Sequence, residues 1–181
     1  MSGRRQFDFY ETPPWQTRAL LRRSQISGVV LECCVGDRSL AKVLTNCDVV
    51  TNDIDPQRPA EFHLDASLPE SWEAFPKVDW VVTNPPFNCA LPILQLAHRH
   101  ARFGVVMLLR LSFLEPTKQR APWLCEHPPA RQIILPRWSY KQNGSTDSVT
   151  TAWYVWLTNS KPIGIVGLDE KEAKEPPVVT G

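Results

Sequence analysis

The sequence lacks the features that mark membrane and secreted proteins. It contains no apolar run that approaches the roughly 20 residues a membrane helix needs. Residues 1–6 include two arginines, but no apolar stretch follows them, so a secretory signal is not predicted. We therefore expect a cytoplasmic protein with no membrane partner.

The cysteines are few and show no paired spacing. An odd, scattered set without a C-x-x-C pair argues against a disulfide framework and against a zinc site. We expect reduced thiols and no metal site. The five cysteines are Cys33, Cys34, Cys47, Cys89 and Cys125.

Glycine-rich phosphate loops and a strong charge of one sign are missing as well. The chain has 8 glycines and no G-x-x-x-x-G-K-[ST] segment, which disfavours ATP and dinucleotides as ligands. The net charge of +1 does not identify a partner. Clustered basic residues could line a phosphate track or form solvated helix faces, and both interpretations stay open. The clusters lie at positions 4–5, 18–23, 99–102 and 131–141.

The composition is that of one globular domain. Hydrophobic residues make up 43% and charged residues 22% of the chain, and the length suits a single compact unit. We assign residues 1–168 to one domain, with no separate target-recognition domain. The charged and proline-rich residues 169–181 are expected to form a flexible tail.

Apolar runs typical of buried strands alternate with segments of helical spacing. The alternation predicts an α/β protein with a doubly wound, mostly parallel, Rossmann-like sheet between two helical layers. Two late strands, 131–135 and 151–157, surround a polar loop and predict a C-terminal antiparallel hairpin. The earlier strands are predicted at 28–32, 48–52, 78–83 and 104–111, and the helices at 15–24, 39–45 and 91–102.

Two strand ends carry residues suited to a nucleoside ligand. The segment Glu32-Cys33-Cys34-Val35-Gly36-Asp37 follows the first strand, and Gly36 lets the backbone approach a ligand closely. Asp53 follows the second strand, where an acid can accept hydrogen bonds from both ribose hydroxyls. Ligands of doubly wound sheets bind at these carboxyl ends, although a single glycine and one acid are weak signals alone.

A sharper signal, Asn84-Pro85-Pro86-Phe87, directly follows the third strand. Successive prolines fix the backbone and remove two N–H donors, so the loop presents carbonyl acceptors in a rigid frame. The Asn84 side-chain oxygen and the Pro85 carbonyl can each accept one N–H of an exocyclic amine. Phe87 can stack on the ring that carries the amine. A base inside a duplex must be flipped out to reach such a loop.

From about Phe9 to Leu157 the chain resembles the N6-adenine DNA methyltransferases, particularly their small phage-type members. Asn84-Pro85-Pro86-Phe87 matches the catalytic motif of that family, and Glu32 to Asp37 match its cofactor loop. The late segment from Leu135 to Tyr140 and the aromatic run from Ala152 to Trp156 also resemble phage-type members.

The resemblance implies S-adenosyl-L-methionine as cofactor and DNA, double- or single-stranded, as partner, in a bacterial or phage-infected cell. Asn84, Pro85, Pro86 and Phe87 would be catalytic, and Trp138 or Tyr140 would face the flipped base opposite Phe87. Ile54 would contact the cofactor adenine, and Asp65 would bind its amine. The cofactor site implied by the family consists of Tyr10, Thr12, Pro13, Glu32, Gly36, Asp53, Ile54 and Asp65.

One position departs from the family pattern. Arg38 stands where the family usually has a second glycine, and a bulky side chain disfavours positive φ. The loop is therefore expected either to take an ordinary conformation with Arg38 pointing outward, or to bind the cofactor more weakly.

Other functions fit the same motif. Adenine in RNA offers the same amine, and a protein glutamine amide offers the same N–H₂ geometry. A catalytically weak, methyltransferase-like binding subunit is a third alternative. The target sequence does not follow from the residues, and a homodimer stays open as a source of specificity.

Overall fold

The described part of the chain forms a seven-stranded sheet with helices on both faces. The structure, a computed structural model, describes residues 11–137, 150–159 and 164–167. The strands are β1 (Gly28–Glu32), β2 (Cys47–Thr51), β3 (Val78–Thr83), β4 (Ala101–Arg110), β5 (Arg131–Ile134), β6 (Thr151–Leu157) and β7 (Gly164–Gly167). The α-helices are α1 (Pro14–Leu21), α2 (Pro69–Ala74), α3 (Ala90–His100) and α4 (Ala121–Glu126).

The strand order is β2-β1-β3-β4-β6-β5-β7. Neighbouring strands from β2 to β4 are parallel, whereas β6 is antiparallel to both β4 and β5. The prediction of a mostly parallel, doubly wound sheet with a late antiparallel pair is therefore confirmed. β7, which pairs with β5 in parallel at the sheet edge, was not predicted.

Two apolar clusters, one on each face of the sheet, explain why its strands read as continuous hydrophobic runs. Along β4, Val105, Met107 and Leu109 pack into the cluster that contains α3. The alternate residues Val106 and Leu108 pack into the cluster that contains α1. A strand covered on both faces has no polar side, so period-two alternation disappears from its sequence.

The helix predicted at 39–45 is wrong. Only the 3-10 turn Ala41–Val43 forms there, and the backbone leaves the helical region at Leu44, where ψ is 50°. The reason is that few residues separate this segment from β2. The N–H of Cys47, the first residue of β2, bonds the Leu44 carbonyl and closes a turn before a second helical turn can form.

The helix predicted at 91–102 begins one residue late and extends two residues too far. α3 ends at His100, and β4 begins at Ala101 without an intervening loop, so Arg102 belongs to the strand. The short helices α2 and α4 escaped prediction because neither carries two full turns of apolar spacing. The proposed tail, residues 169–181, lies outside the described residues.

Among the helices that the structure describes, none combines the length and the apolar character required to cross a bilayer.

Candidate functional site: a cleft at the carboxyl ends of the parallel strands

A cleft of about 610 Å³ opens where the order of the strands reverses. The chain passes from β1 outward to β2 and then returns to β3 on the other side of β1, which leaves a gap between the loops that follow β1 and β3. The side of the cleft formed after β1 and β2, here called the acidic side, is lined by five acids among the described residues: Glu32, Asp37, Asp53, Asp55 and Asp65.

Glu32, the last residue of β1, is a buried carboxylate at the floor of the cleft. Its side chain is 2% exposed, and its Oε2 atom is buried with no hydrogen-bond partner among the described residues. Burial, with a smaller contribution from Cys33, raises the pKa of the carboxyl well above its usual value. An orphaned carboxylate oxygen at a cavity is suited to a cationic or N–H-donating ligand group.

Asp53 is held in place by backbone N–H groups. Its Oδ2 accepts a hydrogen bond from the N–H of Gly36 at 2.7 Å, and its Oδ1 accepts one from the N–H of Asp55 at 3.0 Å. The loop after β1 is thereby tied to the loop after β2. Since each carboxylate oxygen has a second lone pair, Asp53 keeps acceptor capacity toward the cleft.

Asn52, which was not predicted as a site residue, connects the loop after β1 to the segment that precedes Asp65. Its side chain is fully buried, and its Nδ2 donates to the carbonyls of Cys33 at 2.9 Å and Leu64 at 3.0 Å. Its Oδ1 accepts the N–H of Leu64 at 2.9 Å. One amide therefore positions the segments that carry Glu32 and Asp65.

The rim of the acidic side combines an acid with an exposed apolar side chain. The Oδ1 atom of Asp65 accepts hydrogen bonds from the N–H of Ser67 at 2.9 Å and from its hydroxyl at 2.6 Å. Ile54 also lines the cleft and is 46% exposed. An exposed isoleucine beside anchored polar groups offers a flat ring a hydrophobic contact.

Arg38 adopts the conformation that a glycine would favour. Its φ is 68°, and it is the one non-glycine residue with positive φ among those described. The N–H of Arg38 bonds the Val35 carbonyl at 2.9 Å, and its guanidinium donates to the Pro59 carbonyl at 3.2 Å. The expectation of an ordinary conformation is therefore wrong. The turn has a left-handed backbone at Arg38 although this residue is not glycine, and its side chain is held by the Pro59 carbonyl.

The two prolines in the loop after β3 differ in the hydrogen bonding of their carbonyl groups. The Pro86 carbonyl accepts the N–H of Cys89 at 3.0 Å. No donor in the described part of the chain bonds the carbonyl of Pro85, which lines the cleft. This is the carbonyl that the sequence analysis assigned to an amine.

The Asn84 amide is oriented by a residue far away in sequence. Its Nδ2 donates to the hydroxyl of Thr12 at 3.1 Å, and Thr12 is 4% exposed just before α1. With the nitrogen bonded to Thr12, the Asn84 oxygen occupies the other branch of the amide and serves as an acceptor.

Phe87 lies beneath a cation that was missed in the sequence. The guanidinium carbon of Arg110, at the end of β4, lies 4.5 Å from the centre of the Phe87 ring, and both residues line the cleft. Nothing local in the sequence indicated this contact, because β3 and β4 are brought together only by the sheet.

Most of the predicted site residues lie around this one cleft. Gly36 supports it through Asp53, and Pro13 is buried beside Thr12 without lining it. Tyr10, Trp138 and Tyr140 lie outside the described residues. Within the described residues, no group of His, Cys, Asp and Glu is arranged to hold a metal ion. The predicted residues that line the cleft are Thr12, Glu32, Asp53, Ile54, Asp65, Asn84, Pro85, Pro86 and Phe87.

No family model and no curated protein matches the sequence, but solved structures share the fold. The chain is similar to a Pyrococcus horikoshii protein assigned as an RNA methyltransferase, with 17% identity and a TM-score of 0.60 over 86% of this chain and 90% of the other. It is also similar to a Listeria monocytogenes protein assigned as a class I S-adenosylmethionine-dependent methyltransferase, with 11% identity and a TM-score of 0.55 over 90% and 64%.

A third similar structure is the M protein of the type I restriction enzyme EcoKI, with 14% identity and a TM-score of 0.62. The match covers 85% of this chain and 44% of the M protein, so the chain spans less than half the length of that protein. At these identities the comparisons show a common fold.

The left-handed conformation of Arg38 predicts an unusual order of stability among its variants. Arg38→Ala and Arg38→Gly both lose the bond to the Pro59 carbonyl, but only glycine removes the strain at positive φ. We expect the glycine variant to be more stable than the alanine variant by about 1 kcal/mol, measured by urea unfolding. Equal stability of the two variants, or a more stable alanine variant, would contradict a left-handed residue at this position.

Proposed function

We propose that the chain transfers a methyl group from S-adenosyl-L-methionine to the N6 amine of adenine in DNA. The observation that carries this proposal is the convergence of two sites in one cleft. The acidic side offers anchored carboxylates, and the Asn84-Pro85-Pro86-Phe87 loop faces the same space with acceptors and an aromatic ring.

The acidic side fits the cofactor that the sequence implied. The orphaned Oε2 of Glu32 would accept an N–H from the ammonium of the methionine moiety, Asp53 would accept the ribose hydroxyls, and Ile54 would cover the adenine. The cationic charge of the cofactor suits a cavity rich in carboxylates. Fold neighbours assigned as methyltransferases that use this cofactor support the same choice. When bound, the cofactor supplies an electrophilic methyl group on a sulfonium.

The loop after β3 would hold the amine that receives the methyl group. The Asn84 oxygen and the Pro85 carbonyl each accept one N–H of the amine, which directs the nitrogen lone pair toward the acidic side of the cleft. Phe87 stacks on the base and fixes its plane. These acceptors also stabilise the positive charge that develops on the nitrogen.

The protein's contribution is mainly alignment. The amine nitrogen would attack the methyl carbon, and the S–CH3 bond would break to release S-adenosylhomocysteine, whose neutral thioether is a good leaving group. The residues therefore need to bring the amine and the methyl group together in line and keep water out. The proton of the methylated amine is released to water. Such a site needs no metal ion and no strong general base.

Nucleic acid is favoured over a protein amide by the charge on the far side of the cleft. Arg110 lines the cleft. Arg120 donates to the carbonyls of Ser112 and Phe113 in the turn after β4. Arg137 follows β5 at the same edge of the sheet. Cations beside an aromatic ring are suited to a phosphate backbone with an unstacked base.

The direct test is methyl transfer from labelled S-adenosylmethionine to unmethylated DNA. We expect label to be recovered as N6-methyladenine, and Asn84→Ala to lower the rate by about 100-fold or more, because an orienting acceptor is lost. The control is Asn46→Ala, which changes an exposed asparagine in the turn before β2 and should leave the rate unaltered.

The outcomes separate the proposed function from its alternatives. Label in RNA or in protein glutamine, with none in DNA, would show that the substrate is not DNA but would leave the proposed role of the Asn84-Pro85-Pro86-Phe87 loop in place. Binding of the cofactor without transfer to any of these would favour a binding subunit. Absence of cofactor binding would contradict the whole assignment.

Thr12 should act on the reaction through Asn84. Thr12→Val removes the hydroxyl that orients the amide, and we expect the rate to fall about fivefold to tenfold, a typical loss for one hydrogen bond. Thr12→Ser keeps the hydroxyl and should retain most of the activity. If Thr12 works by positioning, the double variant with Asn84→Ala is no slower than Asn84→Ala alone. Additive losses in the double variant would show an independent role.

We expect the Glu32 carboxylate to lower the stability of the free protein and to strengthen cofactor binding. Because its pKa is raised in the folded protein, its contribution to stability is full at low pH and is lost as the pH rises through the folded value. Glu32→Gln should therefore raise the melting temperature of the free protein near neutral pH and weaken cofactor binding about 10- to 100-fold. Thermal scans with and without S-adenosylmethionine measure both effects.

The matched control for Glu32 is Glu70→Gln, since Glu70 is an exposed carboxylate at the start of α2. It should change neither the melting temperature nor the affinity. A Glu32→Gln protein that is less stable than the parent, or that binds the cofactor equally well, would show that the carboxylate is not held for a ligand.

A further inference from the structure

Arg110 lines the cleft but takes no part in the proposed transfer step itself. It closes β4 and is largely exposed, and its guanidinium lies over the ring of Phe87 at 4.5 Å. Phe87 is partly buried and packs against the apolar cluster on the α3 side of the sheet. The guanidinium therefore covers one face of the ring, and a face is the surface on which a base would stack.

The guanidinium has no polar partner within residues 11–137, 150–159 and 164–167. No carboxylate there forms an ion pair with it, and none of its N–H groups donates a hydrogen bond to that part of the protein. The other basic residue of the cleft, Arg58, is paired with Asp55 at 3.5 Å. Five N–H donors at the mouth of the cleft thus remain available to a ligand.

The surroundings of Arg110 are suited to an anion. Arg120 contacts the turn that follows Arg110 directly. Thr151 is the sheet partner of Arg110 and also accepts the N–H of Leu135, the residue after β5. Arg137 lies two residues further along. The carboxylates of the cleft, by contrast, are gathered on the acidic side. A guanidinium fork binds a phosphate through two hydrogen bonds.

We propose that Arg110 alternates between two partners. In the free protein it stacks on Phe87 and shields the ring, and when a target base takes that ring surface the guanidinium moves to the phosphate of the same nucleotide. The inference rests on the proposed function, because it assigns the base to Phe87. Arg110 thereby binds the phosphate of the nucleotide whose base stacks on Phe87, so that entry of the base and binding of its backbone occur together.

The experiment measures binding of a fluorescent single-stranded oligonucleotide with one adenine, in the presence of S-adenosylhomocysteine, at several salt concentrations. We expect Arg110→Ala to weaken binding and to reduce the slope of log affinity against log salt by about 0.7, the value for one phosphate contact on a single strand. Arg110→Lys retains the charge and should retain the slope.

Arg102→Ala is the matched control. Arg102 is also an exposed arginine over an aromatic ring, with its guanidinium 4.8 Å from the centre of Phe103, but it lies at the opposite end of β4. It should change neither affinity nor slope. Competition by free deoxyadenosine gives the second readout, because this ligand has no phosphate. Arg110→Ala should bind it as well as the parent or more tightly, since the ring is no longer covered.

Two results would overturn the inference. One is an unchanged salt slope in Arg110→Ala, and the other is an equal loss of affinity for oligonucleotide and deoxyadenosine, which would mean that Arg110 merely supports Phe87. Failure of the parent protein to bind the oligonucleotide would also overturn it. An Arg110-dependent slope in a protein that binds but does not methylate DNA would support the phosphate contact and refute only the proposed reaction.

Discussion

The buried amide of Asn52 is the interaction on which the acidic side of the cleft depends. Loops at the ends of parallel strands have few neighbours, and their backbone groups need partners once they are covered. The amide of Asn52 bonds the carbonyl of Cys33 and both backbone groups of Leu64. It thereby fixes the position of Glu32 at the end of one strand and of Asp65 on the next loop. Because Asn52 holds these loops in position, the N–H of Gly36 can reach the Asp53 carboxylate.

The cleft built on this frame separates charge. Carboxylates gather after β1 and β2, and among the described residues that line the cleft Arg110, at the end of β4, is the cation without an ion pair. A buried carboxylate oxygen without a partner, such as Oε2 of Glu32, costs folding free energy, and such groups are typical of binding sites. The same division suits a reaction in which a cationic donor and an anionic substrate chain meet at one point. The acceptors of Asn84 and Pro85 lie between the two sides.

Much of this arrangement could be predicted from the sequence, because its signals are local. The buried strands are continuous apolar runs, and Asn84-Pro85-Pro86-Phe87 directly follows one of them. Parallel strands place their carboxyl ends at one edge, so the acids and the Asn84-Pro85-Pro86-Phe87 loop had to converge. The features that escaped prediction are tertiary. Asn52 and Arg110 act on residues from other strands, and the left-handed φ of Arg38 is stabilised by the surrounding turn rather than by its side chain.

We propose that the methyl donor and the target amine occupy the two sides of a single cleft. The decisive measurement is a crystal structure with S-adenosylhomocysteine and an adenine-containing oligonucleotide. We expect the exocyclic nitrogen within hydrogen-bonding distance of the Asn84 side-chain oxygen and the Pro85 carbonyl, with the amino group of the homocysteine moiety at Glu32. An adenine bound away from residues 84–87, or a cofactor product bound away from Glu32 and Asp53, would contradict it.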